Sequence, residues 1–493
     1  MGEGGTMLVP EPSKLYIGGA WVEGSAGTYE VVNPSTEAVV GRVADASEDD
    51  ARAAAAAAAE AFPAWSRTSP EERAAVMLRV ADLLAERRDE LVPVVQAETG
   101  ATMRVTKTMQ IPQVEVRFRR YAKGALESRK ILIPAGESPA TALAPGGLIS
   151  AEARREPVGV VTAITSFNFP LTNMAGKICP ALAMGNTVVV KPAPQDPLAV
   201  AMLVEIMAEA GIPPGVVNLV TSSSPAPAEA LVASPDVDMV SFTGSTGVGV
   251  RITEVGARTM TPLLLELGGK GASVIFDDAD LDAAVSGTGS TWSFHSGQIC
   301  TAPTRVLVQR GVYDEVVERL AKYAGYLKVG DPLERDTVVG PLITQAHRDR
   351  VRAHIAGGVE AGARLVAGGE TALPERGWYV PPTLLADGAA DMPIFQEEVF
   401  GPVIVAVPFD DEEEAITLAN GTAFGLYDYV WAGDTTRAYR VAGALRSGNV
   451  GVNTAQRNHE APFGGFKMSG VGRDGGSFGL YAYSELKSVV WST

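Results

Sequence analysis

Four short β-branched runs recur in the middle of this chain and constrain its fold more than any other feature. They are VGVVTAI (158–164), TVVVK (187–191), GVVNLV (215–220) and VDMVSF (237–242). Helix-forming stretches lie between them, such as DPLAVAMLVEIMAEAGIPPG, which stops at Gly211 and Pro213. Strands returning about every 20–30 residues with helices between predict βαβ units and a parallel sheet covered on both faces. Such a sheet offers a ligand site at the carboxyl ends of its strands. The pattern does not name the ligand.

The flanking segments extend this α/β reading. Ser47 before EDDARAAAAAAAEAF, and Ser69 before PEERAAVMLRVADLLAE, predict capped helices; Glu72 completes a capping box and Pro70 suits the first helical position. The alanine run predicts a helix packed closely on a neighbour. After LLLELGGKGASVIFDDADLDAAV a second alternating region runs to about residue 450 and predicts a second α/β domain. Segment 128–156 is rich in Pro and Gly and predicts a protruding hairpin that the C-terminal YSELKSVVWST can pair with. Such edges need covering, often by a second subunit.

With 493 residues, two or three domains are expected. The formal net charge of −17 argues against a broad phosphate-binding surface, so nucleic acid is not expected as a partner. No apolar run reaches the length of a membrane span, and no secretory leader is visible. Gly2 and Thr6 match a myristoylation pattern, but the start reads better as an unmodified terminus. Two cysteines, Cys179 and Cys300, cannot build a disulfide framework. The expectation is a cytoplasmic protein.

Several residues could carry chemistry. Cys300 in HSGQICTAPTR is either a nucleophile or a small buried apolar side chain, and its neighbours supply no cation to activate it. A pairing with His295, five residues away, would be poorly aligned. Asn168, in the turn after a predicted strand, could donate to an oxyanion or simply shape the turn. Lys191 ends the next strand, where it could hold a ribose or phosphate or be solvated. SFTGSTGVGVRI, with Gly244, Gly247 and Gly249, could cradle a phosphate at a helix start, although it lacks the GxGxxG spacing. Glu266, inside PLLLELGGK, should be desolvated and its pKa raised towards general-base use, unless it is ion-paired. Cys179 lies in a helical apolar context and reads as structural.

Taken together and in order, FNFP, FTGST, LELGGK, GQICTAPTRV and EEVFGPV resemble the aldehyde dehydrogenase superfamily. The likeness runs from YIGGAWVEG to PFGGFKMSGVGRDGG. It implies a Rossmann-like cofactor domain (1–130 and 153–265), an α/β catalytic domain (266–479) and a small β oligomerisation arm (131–152 and 480–493). It implies that Cys300 attacks the aldehyde, Asn168 and the backbone N–H at the cysteine hold the oxyanion, and Glu266 activates water on the thioester; Lys177 is a candidate proton relay. NAD is the implied cofactor, on Thr165, Phe167, Lys191, Pro194, Phe242, Gly244, Ser245, Leu267, Glu398 and Phe400. No metal site is implied, and a homodimer or homotetramer is.

Departures from the family pattern leave particular questions open. Pro194 stands where a ribose-binding Glu is usual, so NADP is possible. Asp474 replaces a longer acid that could join Lys177, and Phe167 replaces a common Trp. Retention of Glu266 favours hydrolysis over transfer of the acyl group to CoA. The substrate channel is expected along MQIPQVEVRFRRYAKGAL, near Phe169 and Met174, and at NTAQRNHEAPFGG. Phe169, Phe294, Ile299 and Phe463 suit an apolar aliphatic or aromatic aldehyde, whereas Arg457 and His459 either meet a semialdehyde's acidic group or, as the preferred reading, are solvated loop residues.

Overall fold

The five strands Val160–Ile164, Thr187–Lys191, Val217–Leu219, Met239–Thr243 and Leu263–Glu266 form the parallel centre of an eight-stranded sheet in a computed structural model. The structure describes residues 13–369 and 372–492, so Gly2 and the myristoylation pattern lie outside the described residues. In space the five strands run third, second, first, fourth, fifth, the order of a doubly wound sheet. The order reverses between Val160–Ile164 and Met239–Thr243, which pair directly. Ligands bind such sheets at the crevice where the order reverses.

The runs form strands because they are β-branched and buried on both faces: all five residues of Val160–Ile164 and of Thr187–Lys191 are buried. Helices cover both sides. Glu48–Trp65 lays Ala51, Ala54, Ala55 and Ala58, all fully buried, against the sheet and a neighbouring helix. Small side chains at that spacing let the backbones approach closely. Both helix starts carry full capping boxes, Ser47 with Asp50 and Ser69 with Glu72.

After Glu266 the chain enters a second, seven-stranded sheet at Ala272–Ile275, which pairs in parallel with Arg305–Gln309 and Tyr427–Trp431. Gly470–Val471 returns to the first sheet and pairs antiparallel with Leu265 and Glu266. The helix Gly476–Ala482 then packs on Pro170–Met184. Apart from these sheets, Lys130–Ser138 and Gly147–Pro157 form a hairpin whose second strand pairs along its length with Ser484–Ser492.

Candidate active site

The carboxyl end of the first sheet and the amino end of the second border one cleft. Glu266 is the last residue of its strand in the first sheet, and Cys300 precedes the strand Arg305–Gln309 of the second. A cavity of about 390 Å³ opens between them. Cys300, Glu266, Asn168, Lys177, Phe167, Gly244, Ser245, Leu267, Glu398 and Phe400 all line it, although they span more than 230 positions.

The loop that presents Cys300 is tightly wound. His295, Ser296 and Gly297 have φ of +49°, +57° and +73°, the left-handed region. A Cβ on Gly297 would lie 2.1 Å from the Gly401 carbonyl oxygen, so only glycine fits. His295 is buried against the Phe169 ring, and burial lowers its pKa to about 4. It is neutral and gives the thiol no cation. Burial pushes the Cys300 thiol up to about 12, with Arg457 pulling down and Glu266 and Glu398 pushing further up. The resting group is therefore a thiol.

Asn168 is held from several sides. Its Oδ1 accepts from Ser166 Oγ (2.8 Å) and Asn173 Nδ2 (3.1 Å), while its Nδ2 donates to the Gln298 carbonyl at 2.9 Å. An amide nitrogen carries two hydrogens, so one remains for the cavity. The Gln110 side chain also donates to the Asn168 carbonyl at 3.0 Å. Asn168 thus shapes its turn and presents a donor beside the cysteine loop.

Glu266 is buried, and neither carboxylate oxygen has a hydrogen-bond partner in the protein. It is not an ion-paired buried glutamate. Burial, then Asp474, push its pKa well above the ordinary value, against the pull of Lys177, Arg457 and Arg473. Lys177 is buried too; its Nζ donates to Ser241 Oγ at 3.1 Å, and burial lowers its pKa to about 8. Asp474 pairs with Arg117 at 3.6 Å and accepts from its neighbour Gly475 N–H at 2.6 Å. Its charge acts on Lys177 and Glu266 through space.

The other end of the cavity suits a dinucleotide. Ser245 caps the helix Thr246–Gly256, accepting from Val248 N–H at 3.4 Å, and Ser245, Gly247 and Val248 are exposed at its start. A Cβ on Gly244 would lie 2.3 Å from the Phe242 ring, so a larger residue there would require that ring to shift. Glu398 Oε1 accepts from Gly269 N–H at 2.9 Å, and burial raises its pKa to about 7. Phe400, at φ +57°, meets the Phe167 ring edge-on with centroids 5.8 Å apart. Its carbonyl accepts from His347 Nε2 at 2.8 Å, while Arg350 donates to His347 Nδ1 at 2.7 Å.

Thr165, Lys191, Pro194 and Phe242 do not line this cavity. Lys191 ends its strand and Thr165 follows the adjacent one, joined by a 3.3 Å bond from Thr165 N–H to the Lys191 carbonyl. Lys191 is buried rather than solvated; Nζ donates to the Pro192 carbonyl at 3.1 Å, and burial lowers its pKa to about 8. Phe242 sits in the core under the turn, and Pro194 is half-buried before the helix Pro197–Glu209. Two channel expectations need correction. Met174 is fully buried in the core of the first sheet, and Phe294 packs behind Phe169 with centroids 6.3 Å apart. Phe169, Ile299 and Phe463 do line the cavity, with Arg457 and His459. Sequence reasoning missed Arg350, which the helix Gln345–Glu360 brings in from a charged run with nothing to mark it. Among the described residues no cluster of three metal-ligating side chains gathers. No helix among them is long and apolar enough to cross a membrane.

A thiol, an amide donor and an unpartnered carboxylate lining one cavity at the reversal point of a doubly wound sheet are the equipment of a cysteine-dependent, dinucleotide-linked oxidoreductase. Residues 21–489 match the model of the aldehyde dehydrogenase family. The chain is 38% identical over 484 residues to phenylacetaldehyde dehydrogenase of Pseudomonas fluorescens, covering 97% of this chain and 96% of that protein. The crystal structure of betaine aldehyde dehydrogenase from Staphylococcus aureus in complex with NAD+ superposes with a TM-score of 0.91 at 34% identity, covering 97% of this chain and 94% of that one. An NADP-dependent enzyme of E. coli gives 0.93 at 36%, covering 99% of both. The chain belongs to the aldehyde dehydrogenase family. It is an NAD(P)-dependent oxidoreductase that converts an aldehyde to a carboxylic acid.

Proposed function

We propose that Cys300 is the nucleophile, Asn168 the oxyanion donor and Glu266 the base of a hydrolytic aldehyde oxidation. The observation that carries this reading is their convergence on one cavity, with both Glu266 oxygens unpartnered. Cys300 gives up its proton to solvent water, and Sγ bonds to the carbonyl carbon. The new oxyanion is held by Asn168 Nδ2 and the Cys300 backbone N–H. NAD(P), when bound, supplies the acceptor for the hydride that leaves as the carbonyl re-forms. Glu266 then takes a proton from water, the hydroxide oxygen bonds to the thioester carbon, and the C–S bond breaks to release acid and thiolate. Lys177, at about 8, can pass a proton between the Glu266 region and Ser241. An unpartnered base in the same cavity as the thiol favours water over CoA as the acyl acceptor.

The residues fit the cofactor. The exposed start of the helix after Gly244 and Ser245 suits the pyrophosphate, and Glu398 and Phe400, with Phe167 and Leu267, suit the nicotinamide ribose and ring. Lys191 and Pro194, one strand away from the reversal point, suit the adenosine end together with Thr165 and Phe242 at the reversal point itself. Pro194 carries no carboxylate to bind ribose hydroxyls or repel a 2′-phosphate, so NADP is admitted beside NAD. Next to the thiol, Phe169, Ile299 and Phe463 suit an apolar aliphatic or aromatic body. We assign 1–130 and 153–265 to cofactor binding, 266–479 to catalysis, and 131–152 with 480–493 to a homodimer or homotetramer contact, in a cytoplasmic enzyme. The test is a panel of aliphatic and aromatic aldehydes with NAD and with NADP, with and without CoA. Reduced cofactor and free acid should form in equal amounts without CoA. No turnover of any aldehyde, or acid formation unchanged in Cys300→Ala, would refute the assignment.

A further inference from the structure

Among the described residues Arg457, at the mouth of the cavity with Phe463, has no carboxylate partner. It lies in the loop 453–465, lines the cavity with Cys300, and among the described residues makes no ion pair. Its guanidinium stacks on the Phe463 ring, 3.9 Å from the centroid, which holds it in place without neutralising it. Its charge is felt at both Cys300 and Glu266. The neighbouring charges are otherwise matched. Arg120 pairs with Glu460 at 2.6 Å and with Glu127 at 3.1 Å, and Arg117 pairs with Asp474 at 3.6 Å. His459, beside them, is held below its ordinary pKa by burial and by Arg457 and Arg117, so it adds no charge at neutral pH.

A side chamber of about 70 Å³ adjoins the main cavity at this point. Gln113, Arg117, Arg457, His459, Phe463 and Asp474 belong to the walls of both, so the two spaces meet there. The chamber carries Arg117, Arg120 and Arg457 against Asp474 and Glu460, with Glu127 as a second partner of Arg120, so the guanidinium left without a carboxylate is that of Arg457. A buried or half-buried guanidinium without an anion is an electrostatic vacancy that an anionic group fills with gain. Guanidinium presents parallel N–H donors that match a carboxylate. The chamber has room for a group of that size and little more.

We infer that the substrate is an aldehyde whose far end carries a carboxylate, bound by Arg457 in this chamber while an apolar body lies along Phe169, Ile299 and Phe463. The inference rests on the Cys300 chemistry proposed above and adds the substrate class. Arg457 is then a specificity-determining residue: it touches the distal carboxylate rather than the reacting carbon. Asp474 and Glu460 oppose the anion, but each already has an arginine.

The test compares 6-oxohexanoate with hexanal, and 4-carboxybenzaldehyde with its methyl ester, under the same cofactor. In the wild-type enzyme kcat/KM should favour the carboxylated member of each pair by about tenfold or more, carried in KM, and the ratio should shrink as salt is added. Arg457→Gln should bring the ratio close to one by raising KM for the charged substrates, and Arg457→Lys should keep part of the preference. A wild-type ratio near or below one overturns the inference without recourse to any variant. A ratio unchanged in Arg457→Gln overturns it as well. Turnover of hexanal without preference for 6-oxohexanoate defeats this inference alone, whereas failure to oxidise any of the four would defeat the Cys300 assignment.

Discussion

Cys300 and Glu266 illustrate how far environment overrides a residue's ordinary chemistry. The thiol, pushed to about 12, reacts only as its thiolate. In cofactor-free enzyme its alkylation by iodoacetamide should be slow at pH 7 and rise through pH 10 without levelling off. A plateau below pH 8 would show a preformed thiolate. Glu266 binds its proton more tightly in the folded state than in the unfolded one, so its contribution to stability is present below the ordinary value of 4.5 and lost as pH rises through the raised one. Glu266→Gln should therefore raise Tm more at pH 8 than at pH 5. The same variant should lose about 10²-fold or more in steady-state turnover while keeping a first burst of reduced cofactor, because only the hydrolytic half needs the base. Equal loss of burst and steady state would move Glu266 to the first half-reaction.

At the scale of elements, the site depends on chain segments that can adopt only one shape. Gly297→Ala places a Cβ 2.1 Å from the Gly401 carbonyl in a left-handed conformation, so the Cys300 loop must shift. It should cut kcat while leaving dinucleotide binding, followed by fluorescence titration, close to wild type. The helix Pro70–Glu86 tests something different. Ser69 accepts from Glu72 N–H at 3.1 Å and Glu72 returns a bond to Ser69 N–H at 2.7 Å. Ser69→Ala should cost about 1 kcal/mol of stability, read as a lower Tm, with catalysis unaffected. The two variants separate an element that orients the chemistry from one that only supports the scaffold.

Across the whole molecule, the three-stranded sheet of 130–138, 147–157 and 484–492 is the surface proposed as the contact between copies. Every residue of Lys130–Ser138 is exposed, including Leu132 at 78%, and so are Leu486, Val490 and Trp491 on the opposite edge strand. Apolar area on a thin, two-edged sheet is the mark of a surface that another copy covers. Light scattering should give an integer multiple, greater than one, of the chain mass. Replacing Leu132 and Val490 together by aspartate should lower that multiple. A wild-type mass equal to a single chain would remove the arm from its proposed role.

What the sequence determined by itself was local and periodic. The β-branched runs at 158–164, 187–191 and 237–242 could be read because strand burial imposes its own composition, and Ser47 and Ser69 because a helix start needs acceptors for orphaned N–H groups. The order of FNFP, FTGST, LELGGK, GQICTAPTRV and EEVFGPV carried the resemblance and with it the candidates Cys300, Asn168 and Glu266. Only the tertiary structure decided which side chains share a space. It set Arg350 at the cavity and Met174 in the core, left both Glu266 oxygens unpartnered, and left Arg457 unpaired beside a chamber. None of these is a property of neighbours in the chain. Each depends on which faces of distant elements meet and on which charges they bring, and burial then sets what those charges can do.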